Sequence, residues 1–154
     1  MATFERATVV EAPLEAVWQF HADIDGLAAL TPAWIGLSVE RLRFPADVDG
    51  EELIVGTEIE LGSRPFGLMP GGTWTVRITA RHRDQQHAMF RDETLEGPFE
   101  QWIHTHRFVS ISSGTLIFDR IEYRVGVPGF DIVVRPALGA LFAYRYRRIH
   151  QLLG

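Results

Sequence analysis

Between Gly56 and Val125 the chain alternates apolar and polar residues with a period of two, and this feature narrows the folds open to it more than any other. Thr57, Ile59 and Leu61 alternate with Glu58 and Glu60. Trp74, Val76, Ile78 and Ala80 alternate with Thr73, Thr75, Arg77, Thr79 and Arg81. Successive side chains of a β-strand point to opposite faces, so each run predicts a strand with one buried and one wet face. Arg83–Gln86 and Ser112–Gly114 read as turns and Gly97-Pro98 as a break, which leaves strands over His87–Leu95, Phe99–Ile111 and Thr115–Val125. Connections this short join antiparallel neighbours.

The flanking segments obey other rules. Thr3–Glu11, rich in Thr and Val, predicts a first strand. Pro13 then suits the start of a helix over Leu14–Phe20. Asp23 is a plausible N-cap for a second short helix reaching Leu30, stopped by Thr31-Pro32. Ile35–Phe44 predicts a strand and Pro45–Gly50 an exposed acidic loop. After Pro128-Gly129, residues Val134, Leu138, Leu141, Phe142, Ile149, Leu152 and Leu153 follow three- and four-residue spacing, which predicts a long amphipathic helix over Asp131–Leu153. Arg145, Arg147 and Arg148 are expected elsewhere on its cylinder. Together with Arg135 they predict a solvated face, with an anionic partner or headgroup as the alternative. The expected class is α+β: an antiparallel sheet of six to seven strands, a long C-terminal helix, and two short helices after strand 1. The sheet has an apolar face that only the helices can cover. One long helix does not fill a strongly bent sheet, so a cavity is the expected remainder.

Composition excludes several classes. The chain has 154 residues, 46% of them apolar, including four Trp and ten Phe, which is not the make-up of a disordered protein. With no Cys, disulfides, thiolate metal sites and a cysteine nucleophile are ruled out. The net charge is −5 and every basic residue other than His is Arg, a poor match to nucleic acid. No apolar run reaches membrane-spanning length, and Met1–Glu11 carries charges where a signal peptide is apolar, so a cytoplasmic location is expected. Nothing in the sequence sets the oligomeric state.

The chemistry-bearing residues concentrate on one predicted face. In Phe99–Ile111, alternation puts Trp102, His104, His106 and Phe108 together, and in the next strand Ile117, Asp119, Ile121, Tyr123 and Val125 share a face. With the turn centred on Ser112-Ser113, Ser110 opposes Thr115, Phe108 opposes Ile117, His106 opposes Asp119, His104 opposes Ile121 and Trp102 opposes Tyr123. Direct partners are about 5 Å apart at Cβ, within hydrogen-bonding reach for His106 and Asp119. A two-residue slip would keep the faces and bring Asp119 opposite His104 or Phe108 instead. In the preceding hairpin, pairing Ala80 with Phe90 sets Ile78 against Asp92 and Val76 against Thr94, which turns Asp92 inward. The remaining histidines, His21, His82, His87 and His150, are expected at the surface without convergent partners. Ser63–Trp74 (SRPFGLMPGGTW) reads as a lid at a cavity mouth, or as a loop packed on the domain or a partner.

Three stretches carry a family resemblance: Phe4–Phe20 (FERATVVEAPLEAVWQF), Phe90–Phe108 (FRDETLEGPFEQWIHTHRF) and Asp119–Gly129 (DRIEYRVGVPG). With them, nearly the whole chain resembles the START-like superfamily, also called SRPBCC or Bet v 1-like. Within it the chain is similar to the polyketide cyclase/dehydrase and lipid-transport group, and its second stretch to a pattern of a bacterial subgroup. The resemblance implies a helix-grip fold, a curved sheet wrapped around the C-terminal helix, as a single ligand-binding domain over residues 1–154. Carriers, receptors and enzymes share that fold, so it does not choose among functions.

The leading expectation is a module that binds an apolar or aromatic small molecule, lipid or polyketide-like, in an internal cavity. Its expected lining is Trp74, Asp92, Trp102, His104, His106, Phe108, Asp119, Tyr123, Leu138 and Phe142. Alternatives are a cyclase or dehydratase using the His and Asp residues as acid and base, with no catalytic residue assigned, and a protein-interaction domain using Phe66–Met69. The polar group itself has four readings: a lock on strand register, ligand recognition, acid–base chemistry, or a three-ligand metal site made by His-x-His and a carboxylate. Spacing alone is weak support for the last, and no metal or cofactor is expected.

Overall fold

The structure, a computed structural model, describes residues 1–45, 53–63, 72–97, 99–126, 128–129 and 131–154. In chain order these form β1 (Ala2–Val10), α1 (Leu14–His21), α2 (Ile24–Ala29), a 3-10 turn (Ala33–Ile35), β2 (Leu37–Arg43), β3 (Glu58–Ser63), β4 (Thr73–Arg83), β5 (His87–Glu96), β6 (Phe99–Ile111), β7 (Gly114–Val125) and α3 (Asp131–Leu153). The strand expected to begin at Ile35 is preceded by that 3-10 turn, which Gly36 closes in the left-handed region at φ 65°. Most of the acidic loop and the expected lid, including Phe66, Leu68 and Met69, lie outside the described residues.

All seven strands join one antiparallel sheet in the order β1-β7-β6-β5-β4-β3-β2. Strands β2 to β7 run as a meander, and β1 returns to pair with β7. The β6–β7 register is the one the turn predicts, with His106 opposite Asp119, His104 opposite Ile121 and Trp102 opposite Tyr123. In β4–β5, Ile78 opposes Asp92 and Val76 opposes Thr94, but Ala80 opposes Arg91 rather than Phe90. A register shift between Ile78 and Ala80 takes up the extra β4 residue, and such shifts bend a strand and sharpen its twist.

The helices divide the inner face between them. Leu14, Val17, Trp18 and His21, at helical spacing, are the buried side of α1. The Trp18 ring meets Phe90 and Phe108 edge-on at centroid distances of 6.1 and 6.2 Å, so α1 closes one end of the sheet over β5 and β6. Asp23 caps α2 by accepting from the Asp25 backbone N–H at 3.1 Å. Helix α3 buries Val134, Leu138, Phe142 and Ile149, and its backbone comes close to β1. Tyr146 and Arg135 tie it there, by bonds to the carbonyl oxygens of Arg6 at 2.8 Å and Thr3 at 2.7 Å. Because α3 leans toward β1 and α1 sits at one end, the inner faces of β3 to β6 are left with a gap beneath the helix.

Candidate functional site

That gap is a cavity of about 400 Å³, within the range of small-molecule pockets. Its walls are mostly apolar: Ile59, Leu61, Trp74, Val76 and Ile78 from β3 and β4, Phe99 and Trp102 from β6, and Val134, Leu138 and Leu141 from α3, with Leu27 and Leu30 from the α2 segment. The aromatic wall is fixed by packing. Trp74 stands edge-on to Trp102 at 4.9 Å, and its indole N–H donates to Thr94 Oγ1 at 2.7 Å. Gly97 makes room for it, since a Cβ there would come within 2.8 Å of the Trp74 ring.

One sector of the wall is charged. Asp92, His104, His106 and Arg145 line the cavity, and Asp119 lies behind the two imidazoles. His104 donates from Nε2 to Asp119 Oδ1 at 2.8 Å, and His106 donates from Nε2 to Asp92 Oδ2 at 3.0 Å. His106 Nδ1 is 3.3 Å from Asp119 Oδ1, and His104 Nδ1 is 3.9 Å from Asp92 Oδ2. The Tyr146 hydroxyl is 2.8 Å from both Asp119 Oδ2 and the Arg6 carbonyl oxygen, two acceptors for one proton. The cross-strand pair His106–Asp119 therefore makes only the longer contact, and the diagonal neighbour His104 makes the hydrogen bond.

Charge bookkeeping explains how these groups stay buried. Burial opposes ionisation of Asp119, yet the hydrogen bond of His104 and the close approach of His106 hold its carboxyl well below the usual carboxylate range. Burial likewise works against Asp92, and the His106 hydrogen bond with the nearby His104 outweighs it, so that carboxyl is also held low. The two imidazoles sit 3.6 Å apart at their centroids, so adding a second proton would set two cations face to face. Burial and the charge of His106 push the His104 pKa down. For His106, burial is overcome by Asp119 and Asp92, one at each nitrogen, and its pKa rises. Burial lowers the Arg145 pKa, with Asp119 and Asp92 opposing, and the guanidinium keeps its charge. Two carboxylates, one imidazolium and one guanidinium then cancel, as burial demands.

Of the residues the sequence singles out, Trp74, Asp92, Trp102, His104, His106 and Leu138 line the cavity. Phe108, Asp119, Tyr123 and Phe142 are buried in the layer behind it. Three further residues belong to the neighbourhood. His21, expected at the surface, is only 9% exposed and lines the cavity. Its Nδ1 donates to the Val17 carbonyl at 2.8 Å, and burial lowers its pKa to about 4. Arg145, expected on a solvated face, points under α3 instead and lines the cavity, with its guanidinium 5.4 Å from the Phe142 ring centre. Tyr146 supports Asp119. The signal for all three was spacing: His21 continues Leu14-Val17-Trp18, and Arg145 and Tyr146 fall between Phe142 and Ile149 on the buried stripe. Of the other histidines, His82 contacts Asp84 at 3.1 Å and His150 contacts Thr8 at 3.0 Å, so neither lacks a partner, and His87 is half-buried. Among the described residues, no helix is long and apolar enough to cross a membrane.

A family model described as polyketide cyclase / dehydrase and lipid transport matches residues 10–143. No curated protein matches the chain. Among solved structures, the chain is similar to a START superfamily protein from Mycobacterium smegmatis, with 12% identity, a TM-score of 0.66, and coverage of 98% of this chain and 96% of that one. It is similar to ginseng major latex-like protein 151 from Panax ginseng, with 14% identity, a TM-score of 0.66, and coverage of 99% and 97%. It is also similar to the di-domain ARO/CYC StfQ from the steffimycin biosynthetic pathway, with 12% identity, a TM-score of 0.68, and coverage of 98% of this chain and 50% of that one. At these identities the likeness is one of fold: the helix-grip arrangement of a curved antiparallel sheet around a long C-terminal helix.

Proposed function

Because the chain belongs to the polyketide cyclase/dehydrase and lipid transport family, we propose that it acts as one unit over residues 1–154 to bind an apolar or aromatic small molecule, lipid or polyketide-like, in its cavity. The observation that carries this reading is the distribution of polarity: an apolar cavity of about 400 Å³ with a single charged sector. Trp74, Trp102 and Leu138 take the apolar body. Asp92, His104 and His106 orient its polar end, and Asp119 holds the imidazoles in place. Phe108, Tyr123 and Phe142 shape the walls from behind. A ligand with a hydroxyl, carbonyl or acidic group at one end suits this division, since a few placed polar atoms in an apolar pocket set orientation. Native mass spectrometry of freshly purified protein is expected to show a co-purified small molecule. An anionic aromatic dye is expected to saturate at one site per chain and to quench tryptophan fluorescence, with Trp102→Ala weakening it. A bare chain with no saturable dye binding would sink the proposal.

A cyclase or dehydratase is the second reading, and one observation favours it. Once His104 donates from Nε2 to Asp119, its Nδ1 has no hydrogen bond among the described residues, only the 3.9 Å contact to Asp92. A neutral imidazole with a free lone pair beside a substrate cavity is what a general base requires. StfQ, an ARO/CYC protein of similar fold, makes polyketide-like compounds the substrates to try. For an enzyme, His104→Ala keeps dye binding and abolishes turnover of such a substrate; for a binder, there is no turnover to lose.

A further inference from the structure

The two imidazoles and Asp92 are arranged for a task that neither a register lock nor a ligand contact requires. Asp92 Oδ2 is 3.0 Å from His106 Nε2 and 3.9 Å from His104 Nδ1, and one donor atom from each of the three residues lies within 4.8 Å of the other two. The opposite nitrogens, His104 Nε2 and His106 Nδ1, both face Asp119 Oδ1, at 2.8 and 3.3 Å. A carboxylate only accepts, so Asp119 keeps hydrogens on those far nitrogens. In the neutral imidazoles the lone pairs then lie at His104 Nδ1 and His106 Nε2, the two nitrogens on the Asp92 side. An outer carboxylate that fixes the tautomer of coordinating imidazoles is the usual second layer of a metal site. We propose that Asp92, His104 and His106 form a binding site for a divalent first-row transition-metal ion, with Asp119 as the positioning residue behind both imidazoles.

The distances fit. Metal–ligand bonds of about 2.1 Å in tetrahedral geometry put ligand atoms about 3.4 Å apart, between the 3.0 and 3.9 Å observed. Two imidazoles and one carboxylate, without thiolate, suit zinc, iron(II), cobalt or nickel over magnesium or calcium. All three ligand residues line the cavity and Asp119 does not, so the open coordination positions face the space a small molecule would fill. The ion displaces the Nε2 proton that His106 otherwise shares with Asp92, and that proton passes to solvent. Asp92, Asp119 and Arg145 leave one positive charge on a divalent ion uncompensated, which favours hydroxide or an anionic ligand group at an open position. The site stands whether or not the cavity also holds an apolar molecule.

The test uses the full chain without affinity-tag histidines, stripped with chelator and titrated with Zn²⁺ by calorimetry and with Co²⁺ by absorption. Expected are one tightly bound ion per chain and visible ligand-field bands with Co²⁺. His104→Ala and Asp92→Asn lose this binding, and Asp119→Asn weakens it by roughly 10–100-fold while changing the tautomer signature of His104. His82, Asp84 and His87 nearer the surface also bring one ligand atom each within 4.8 Å of the others, so the double variant His82→Ala/His87→Ala is the control and is expected to bind as the wild type does. Nitrogen NMR of the unaltered protein avoids any doubt over folding of the variants, and Zn²⁺ is expected to shift His104 Nδ1 and His106 Nε2 while their far nitrogens stay protonated. No bound ion in the folded wild type, binding that survives in His104→Ala, or binding lost in the control variant would each overturn the proposal.

Discussion

At the scale of single residues, the balance of charge in the inner wall makes substitutions unequal. Asp119→Asn removes the carboxylate facing both imidazoles and leaves the two positive charges of His106 and Arg145 against the one carboxylate of Asp92, so it is expected to lower stability by about 3 kcal/mol in urea unfolding, the range for breaking a buried ion pair. His21 sets a pH dependence. Its pKa falls from 6.5 to about 4 on folding, because burial disfavours the imidazolium, with His106 and Arg145 opposing its charge and Asp119 favouring it. The unfolded chain then binds the proton more readily. The contribution of neutral His21 is complete above pH 6.5 and drains away as pH falls toward 4, by about 3 kcal/mol. His21→Leu is expected to flatten that part of the stability profile relative to wild type, and an unchanged slope would contradict the assignment. Much of the site was legible at this scale. Strand parity put His104, His106, Asp119 and Asp92 on one face without any knowledge of the fold. It did not reveal that the tighter Asp119 bond goes to the diagonal partner His104, because rotamers rather than register decide that. His21 and Arg145 escaped because polarity outweighed spacing in the reading of their helices.

At the scale of elements, the long helix is held to the sheet by few but specific contacts. Tyr146 reaches from α3 to both the β1 backbone and Asp119 on β7, so Tyr146→Phe is expected to cost about 2 kcal/mol, typical of hydrogen bonds involving a charged partner. Phe142, 1% exposed and packed on Phe4 and His104, is expected to cost about 4 kcal/mol on replacement by Ala. Thermal or denaturant unfolding measures both. The element order could be read from the sequence because the two periodicities switch cleanly, from two to three-and-four after Pro128-Gly129. The extra β4 residue between Ile78 and Ala80 could not, since an inserted residue in a strand changes the pairing and leaves the composition as it was.

At the scale of the whole molecule, the sheet order decides where one edge comes from. Strands β4 to β7 are neighbours both along the chain and in the sheet, whereas β1 pairs with β7 across the full length of the domain, Ala2 opposite Tyr123 and Val10 opposite Thr115. Contacts between near neighbours form early, and distant ones wait on loop closure. During synthesis, then, β1 leaves the ribosome ahead of the other six strands yet has nothing to pair with until β7, the last of them, has followed. The hairpins carrying Asp92, His104, His106 and Asp119 can assemble without it, but Tyr146 arrives later still with α3. Pulse-labelled hydrogen exchange during refolding is expected to protect β6–β7 amides before those of β1, and equal protection rates would contradict this order. Until β1 docks, the outer edge of β7 is an unpaired strand bordering a half-built polar pocket, a template on which another chain could pair in its place.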